Sequence, residues 1–316
     1  MQTVLIRKIT TLFFSAVLFV VIISSCKKSN SGSSPGPGTI AAQVTAGTNF
    51  TLLSSAVTKA GLGTTLAGAG PFTVFAPTDD AFTASGITSS VIASLTADQL
   101  KTILLYHTLG SKVMAAQVPA GPDAKVVTAS GDSVFVTNNS NGVFINGIKV
   151  TQADIAASNG VIHTIGKVLL PPVGNIVDVA SADTTFSFLV AAVIRASTGS
   201  TNVASILSSG GIFTVFAPTN NAFRAAGFAT IDAINAADPN TLTTILTYHV
   251  IPGRIFSSDL TDGAQPTTAN GGKLTISLSA GATVKGNGNT TASNIIVTNV
   301  MASNGVVHVI DQVLLP

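Results

Sequence analysis

The residues with the widest chemical range in this sequence are its four histidines, His107, His163, His249 and His308. They fall as two pairs with repeated surroundings: "LLYHTLG" and "LTYHVIPG" hold one pair, "NGVIH" and "NGVVH" the other. An imidazole ligates metals or moves protons only with partners of the right type. A zinc-type site needs further His, Cys or carboxylate ligands. The chain has no Glu, a single Cys and 13 thinly spread Asp, so no metal set is expected. Asp154, Ser158 and His163 in "DIAASNGVIH" offer an acid, a hydroxyl and a base, the parts of a hydrolase triad. The repeat replaces Asp154 with Asn299, and the chain has no G-x-S-x-G elbow. Gly61, Gly63, Gly68 and Gly70 lack the Lys-Ser/Thr ending of a phosphate loop and read as turn glycines. No catalytic residue and no cofactor is expected. His163 shares a strand face with Val161 and Ile165, which suggests a packed, hydrogen-bonded core histidine. His107 closes a helix, where it can bond free carbonyls.

The second chemical candidate is a pair of acids. "FTVFAPTDDAF" (Phe72 to Phe82) returns at Phe213 as "FTVFAPTNNAF", with Asp79-Asp80 replaced by Asn220-Asn221. Such a swap would abolish acid–base chemistry or metal binding. At the first turn of a helix, with Thr78 as N-cap, it loses only a favourable interaction with the helix dipole of roughly 0.3–1 kcal/mol per charge. The stretch therefore reads as a strand-to-helix corner.

The elements that must position these residues come in a fixed order, twice. "ASNGVIHTIGKVLLP" (Ala157 to Pro171) answers "ASNGVVHVIDQVLLP" (Ala302 to Pro316). Two domain-sized copies follow, residues 39–171 and 173–316, joined by little more than Pro171 to Gly174. Each runs helices first, strands last. "NFTLLSSAVTKA" (Asn49 to Ala60) has Phe50, Leu53 and Val57 at helical spacing, and Phe186 to Arg195 plays that part in the second copy. "FTVFAP" is a short strand stopped by Pro77. "TADQLKTILLYH" is an amphipathic helix. "SVFV", "GVFINGIKV" and "GVIHTIGKVLL" are strands. One asymmetry stands out: "FINGIKV" of the first copy becomes the longer "VKGNGNTTASNIIV". The Gly286 to Asn294 loop reads as a tolerated surface insertion or as a recognition loop.

These motifs, in this order and twice over, resemble the fasciclin domain family. The resemblance implies an α+β fold of two tandem fasciclin-like domains, each a β-wedge of two sheets with several helices packed around it. It also implies proteins used in adhesion and extracellular binding rather than catalysis. In some family members recognition is tied to an Asp-Ile pair before the NGVVH strand and to the Tyr-His region. By that resemblance the candidate binding residues are Asp154 and Ile155, with Tyr106, His107, Tyr248 and His249. The second copy has Asn299-Val300 in place of Asp154-Ile155, so the first domain is the better candidate.

The N-terminus sets the expected location. Arg7 and Lys8 precede an apolar run from Leu12 to Ile23, shorter than the roughly 20 residues of a spanning helix. It ends in Ser24-Ser25-Cys26 and resembles a bacterial lipoprotein signal, residues 1–25, with Cys26 as the lipidated residue. Residues 26–38, rich in Ser, Gly and Pro, form a tether with a mean reach of about 20 Å. Of the 15 Lys and Arg, two leave with the leader, which brings basic residues level with the 13 Asp and removes any charge argument for nucleic acid. With 46% hydrophobic and 9% charged residues the chain can bury a large core. The sequence therefore leads to a lipid-anchored cell-envelope protein, expected at the outer membrane. It would bind a protein or polysaccharide in adhesion. The alternative is a periplasm-facing structural role beside neighbouring proteins or wall polymer.

Overall fold

Threonine starts many of the helices in this chain. Thr39, Thr78, Thr88 and Thr96 in the first copy, and Thr219 and Thr230 in the second, hold extended backbone and accept a hydrogen bond from an amide of the first helical turn. The structure, a computed structural model, describes residues 36–316. Cys26, the leader and most of the tether lie outside the described residues. Residues 37–316 form one compact unit.

The first copy runs α1 (Ile40–Ala46), α2 (Thr51–Lys59), α3 (Gly63–Ala67), β1 (Phe72–Pro77), α4 (Asp79–Ala84), α5 (Ser89–Ser94), α6 (Ala97–Tyr106), β2 (Thr108–Leu109), β3 (Gly121–Val127), β4 (Ser133–Asn139), β5 (Gly142–Ile145), β6 (Ile148–Ala157) and β7 (Gly160–Ile165). The second repeats it as α7 (Ile176–Ala182), α8 (Ser187–Ala196), α9 (Val203–Ser208), β8 (Phe213–Pro218), α10 (Asn220–Ala225), α11 (Ile231–Ala236), α12 (Pro239–Tyr248), β9 (Val250–Pro252), β10 (Thr275–Ser277), β11 (Thr283–Lys285), β12 (Ser293–Ala302) and β13 (Gly305–Ile310). The helix-first, strand-last order is as the sequence implies.

The first sheet has the order β2-β1-β7-β6-β5-β4-β3, the second β10-β11-β12-β13-β8-β9. The two sheets of each wedge share one long strand, β6 or β12, and so form a continuous ladder that curls where those strands carry register shifts. Bulges bend the strand and increase its twist, and here they divide each sheet into a helix-covered half and a second half. The central pairs, β1 with β7 and β8 with β13, are parallel. Both strands of each pair are buried along nearly their whole length, as expected of parallel strands covered by helices.

The Asn-Gly of the "SNGV" motif makes that pairing possible. Asn159 Oδ1 accepts from the Ile40 amide at the start of α1, and its Nδ2 donates to the Leu66 and Gly68 carbonyls at the end of α3. Asn304 does the same for Ile176, Leu207 and Ser209. A side chain at Gly160 or Gly305 would run into the carbonyl oxygen of Phe72 or Phe213 on the parallel neighbour. One dipeptide thus ties the first and third helices of each domain to its last strand.

The acidic corner works differently from the sequence expectation. Thr78 does cap α4, accepting from Ala81 N at 3.3 Å. Asp79, however, turns away to the neighbouring helix. Its carboxylate accepts from the Thr51 and Leu52 amides at 3.2 and 2.9 Å and from Thr51 Oγ1 at 2.7 Å. It thereby caps α2, whose own N-cap residue, Phe50, has no capping side chain. Those three bonds hold its pKa below the usual carboxylate value against the opposing effect of burial. Asn220 replaces it by accepting from Phe188 N and donating its amide to Thr184 O and Ser187 Oγ. The hydroxyl partner reverses its role when acid becomes amide, so the corner survives the swap. Asp79→Ala is expected to lower stability by about 1–2 kcal/mol in urea unfolding. Asp79→Asn should cost less, about 1 kcal/mol, because only the Thr51 amide loses its acceptor. Equal losses for the two variants would show that the bonds to Leu52 N and Thr51 Oγ1, which Asn keeps, contribute nothing.

Candidate functional site

The Tyr-His pairs are buried, with Tyr106 and Tyr248 at 0% exposure, His107 at 1% and His249 at 2%. This corrects the expectation that they offer a contact surface: their rings are inside and their polar atoms are in use. Each pair ends its long helix, α6 or α12. His107 is the C-cap of α6, and its Nδ1 donates to the Ile103 carbonyl at 2.7 Å while Nε2 accepts from Leu169 N at 2.9 Å. His249 repeats this with Ile245 O at 2.8 Å and Leu314 N at 2.8 Å. Those partners dictate the neutral Nδ1–H tautomer. Burial, opposed in part by the carbonyl bond, pushes both pKa values down to about 4. Tyr106 Oη donates to Ser133 O and accepts from Asn146 Nδ2, and burial pushes its pKa up to about 12. Tyr248 Oη donates to Lys273 O and accepts from Asn287 N. Each pair therefore ties a helix end to the closing "VLLP" segment and to the outer half of the sheet.

Asp154 and Asn299 occupy the bulges of β6 and β12 with φ of 60° and 64°. This left-handed region suits Asp and Asn among non-glycine residues. Both amides donate to a histidine Nδ1, of His163 at 3.1 Å and His308 at 3.4 Å. The Nε2–H of each ring then donates to a carbonyl, Val113 or Ile255, both at 2.9 Å. The His163 ring stacks near Phe75, and the His308 ring lies tilted beside Phe216 with centroids 5.6 Å apart. They are core residues, as the strand pattern suggests. Burial lowers the pKa of His308. Asp154 Oδ1 also accepts from Ala115 N at 2.9 Å, fixing a 3₁₀ turn at Ala115–Gln117; Asn299 Oδ1 does so for Ser257 N at 2.8 Å and the turn Ser257–Asp259. Asp154 is therefore a structural residue whose side chain is also 36% exposed. Ile155 is partly buried against the helix-side core. Ser158 has no hydrogen bond to His163, whose ring nitrogens are both engaged elsewhere.

In the second domain this turn-and-bulge face is occupied by the first domain. Phe256 packs with Met301, Val306 and the Phe135 ring, whose centroid lies 6.2 Å from its own. The Arg254 guanidinium sits over the Phe135 ring, 3.8 Å from its centroid. Asp259 Oδ1 accepts from Thr137 Oγ1 at 3.0 Å, and Asn139 Nδ2 donates to Ser258 O at 3.0 Å. Gly147 approaches the Asn299 side chain so closely that a methyl group there would collide with it. Asp123 lies at the same seam. Burial, with the Asp259 charge acting in the same sense and Arg254 against it, pushes its pKa up to about 6. Beside the seam is a cleft of ≈580 Å³ lined by Leu170, Pro171, Val173, Val297, Lys149 and Lys167 among others. The sequence reading missed the seam. The available signal was that Lys112, Met114, Gln117 and Thr275 stand where the partner copy has Arg254, Phe256, Asp259 and Phe135.

The Gly286 to Asn294 loop is tied down. Asn289 Nδ2 donates to Val313 O and its Oδ1 accepts from Leu315 N, while Asp311 accepts from Ser293 Oγ, Asn294 N and Asn294 Nδ2. It acts as a strap over the C-terminal segment. Among the described residues no group of three or more His, Cys, Asp or Glu could hold a metal.

Two curled-sheet α+β domains, docked through one face and stapled by repeated Asn-Gly and Tyr-His pairs, define a tandem-domain protein of one fold. The family model for the fasciclin domain matches residues 48–171 and 185–316, and the chain belongs to that family. Protein sll1483 of Synechocystis sp. is 42% identical over 125 residues, 39% of this chain and 68% of that protein. Transforming growth factor-beta-induced protein ig-h3 of Sus scrofa is 31% identical over 82% of this chain. Human periostin is 27% identical over 79% of it. The match spans only 35% of ig-h3 and 29% of periostin. Among solved structures, a FAS1 domain pair from the insect cell adhesion molecule Fasciclin I is 19% identical with a TM-score of 0.40, covering 78% of this chain and 89% of that one.

The buried histidines make stability depend on pH. Below about pH 6.5 an unfolded histidine takes up a proton that folded His107 and His249 refuse until about pH 4. Stability is therefore full above pH 7 and falls as pH drops through this window, by up to about 3 kcal/mol per histidine. Asp123 acts in the opposite sense, since the folded state holds its proton up to about pH 6. Two fully buried rings outweigh one half-exposed carboxyl, so the urea midpoint is expected to be clearly lower at pH 5 than at pH 7.5. An equal midpoint would contradict the neutral, buried assignment. At the seam, Phe135→Ala removes the ring that both Phe256 and Arg254 pack on. It is expected to loosen the domain pair, read as a larger radius of gyration by small-angle scattering, with both domains still folded by circular dichroism. An unchanged radius would mean that the Phe135 ring does not hold the two domains together.

Proposed function

We propose that this protein is a non-catalytic binding module of the cell envelope, used in adhesion and held to a membrane through a lipid on Cys26. The observation that carries this reading is the turn-and-bulge face. In the second domain that face docks on a protein surface, the first domain. In the first domain the same face, with the Asp154 carboxylate and the Ala115–Gln117 turn, is open to solvent. A face built to bind protein in one copy is a binding surface in the other. Family membership supports the reading, because fasciclin domains occur in cell adhesion proteins. The commitment of all four imidazoles and both phenols to internal hydrogen bonds supports a structural use of these groups. The ligand is a protein or a polysaccharide at the cell surface. A periplasm-facing role beside neighbouring proteins or wall polymer is the second reading. It is favoured by Lys27-Lys28 directly after the cysteine, which does not resemble an acidic surface-export tag.

Metabolic labelling with a radioactive fatty acid is expected to mark the wild-type protein and not Cys26→Ala. Label on the variant, or none on either, contradicts the anchor. Protease treatment of intact cells, blotted beside a periplasmic control, is expected to remove the protein. Survival until the outer membrane is broken would transfer the assignment to the periplasmic reading. Asp154→Asn, which copies the second domain and keeps the bulge, is expected to weaken adhesion of cells or beads carrying the protein several-fold without altering its melting temperature.

A further inference from the structure

The two domains share a backbone plan but fill the outer halves of their wedges differently. In the first domain a cavity of ≈180 Å³ lies between β1, β7 and the curled outer strands. Its walls include Phe75, Leu109, Val113, Val136, Ile145 and Val150. Gln117, Val118 and Pro119 line it where the chain is partly or fully exposed, so it reaches the surface beside the Ala115–Gln117 turn that Asp154 fixes.

The second domain has larger side chains at matching positions. Val113 and Ile255 match because each donates its amide to a buried threonine, Thr73 or Thr214, and accepts from a histidine, His163 or His308. Val136 and Ile276 match through their partners Ile145 and Val284, and Val150 and Ile295 through Ile165 and Ile310. Val118 and Leu260 both follow the 3₁₀ turn. Four positions gain one carbon each in the second domain, while Ile145 to Val284 and Val143 to Ala282 together lose three. Ile255, Leu260, Ile276 and Ile295 all pack onto the second domain's outer core. Its corresponding turn is moreover covered by the first domain at the seam.

The buried polar side chains on the cavity wall, Thr73 and His163, are already paired. Thr73 Oγ1 donates to Ser111 O and accepts from Val113 N, and both nitrogens of His163 are engaged. Nothing there calls for a polar ligand or a bridging water. A dry apolar cavity of about 150 Å³ is large enough to take benzene or xenon, and a void of this kind forfeits dispersion contacts on its walls.

We propose that the first domain binds a small apolar group in this cavity, a compact hydrocarbon or the end of an aliphatic chain, with any polar part left at the mouth beside Gln117 and Pro119. This site is independent of the adhesion reading. The test uses the folded protein with methyl-labelled Val and Ile, titrated by NMR with benzene and, separately, with n-octanol. Saturable shifts are expected at Val113, Val136 and Val150 and not at Ile276 or Ile295. The triple variant Val113→Ile, Val136→Ile, Val150→Ile copies the second domain and is expected to bind at least tenfold more weakly, with no loss of melting temperature. Val118→Leu gives the same readout should the triple variant fail to fold. Binding of benzene alone assigns the site to compact free molecules, and binding of both probes assigns it to chain ends as well. No saturable shift in the wild type, equal shifts at Ile276 and Ile295, or undiminished binding in the filled variant would overturn the proposal.

Discussion

The interaction on which each domain depends is the bridge made by a neutral imidazole between a helix end and the closing segment. His107 and His249 each give a proton to the carbonyl four residues back and take one from a "VLLP" amide. A helix C-terminus leaves carbonyls without partners, and a segment past the last strand leaves amides without partners. One buried ring serves both. The adjacent tyrosine reaches the opposite way, into the outer half of the sheet. Helix layer, closing segment and curled sheet are thus joined at one dipeptide. That dependence is also what makes the arrangement sensitive to protonation, since an imidazolium cannot accept the amide.

The two copies show which parts of this plan tolerate a change of charge. Asp79 and Asn220 both cap the first long helix of their domain, because a threonine or serine hydroxyl can reverse its hydrogen bond. Asp154 and Asn299 both sit in a left-handed bulge and both fix a 3₁₀ turn. In each case the geometry asks for a short side chain with an acceptor oxygen, and the charge is free to vary. At the second bulge the amide gives a further bond, from Asn299 Nδ2 to Ser257 Oγ, on the face that meets the first domain. At the first bulge the charge remains and faces solvent. Divergence between the copies is thus concentrated where one docks and the other does not.

Much of this was legible in the sequence because the repeated motifs carry the fold. The Thr78 cap, the strand at Phe72–Pro77, the helices at Thr51–Lys59 and Ala97–Tyr106 and the core places of His163 and His308 follow from spacing and residue type. The sequence could not tell that Asp79 serves the neighbouring helix, since that bond spans 28 residues and depends on packing. It placed Tyr106 and His107 on a possible contact surface by resemblance, whereas helix burial decided otherwise. The seam was hidden for a related reason. Arg254, Phe256 and Phe135 are ordinary residues in ordinary positions, and only their docking makes them an interface. The Gly286 to Asn294 loop reads as a surface insertion or a recognition loop, and composition alone does not reveal that its Asn side chains and Asp311 pin it to the closing segment.

The most direct test of the bridge is the tautomer and titration of His107 and His249, read from long-range ¹H–¹⁵N correlations in the histidine-labelled protein between pH 8 and the onset of acid unfolding. The structure predicts Nδ1–H, neutral rings for both, with no titration near pH 6.5 and protonation only as the pH approaches about 4. A ring in the Nε2–H tautomer, or one that titrates near pH 6.5 while the protein stays folded, would break the link between helix end and closing segment on which this account rests.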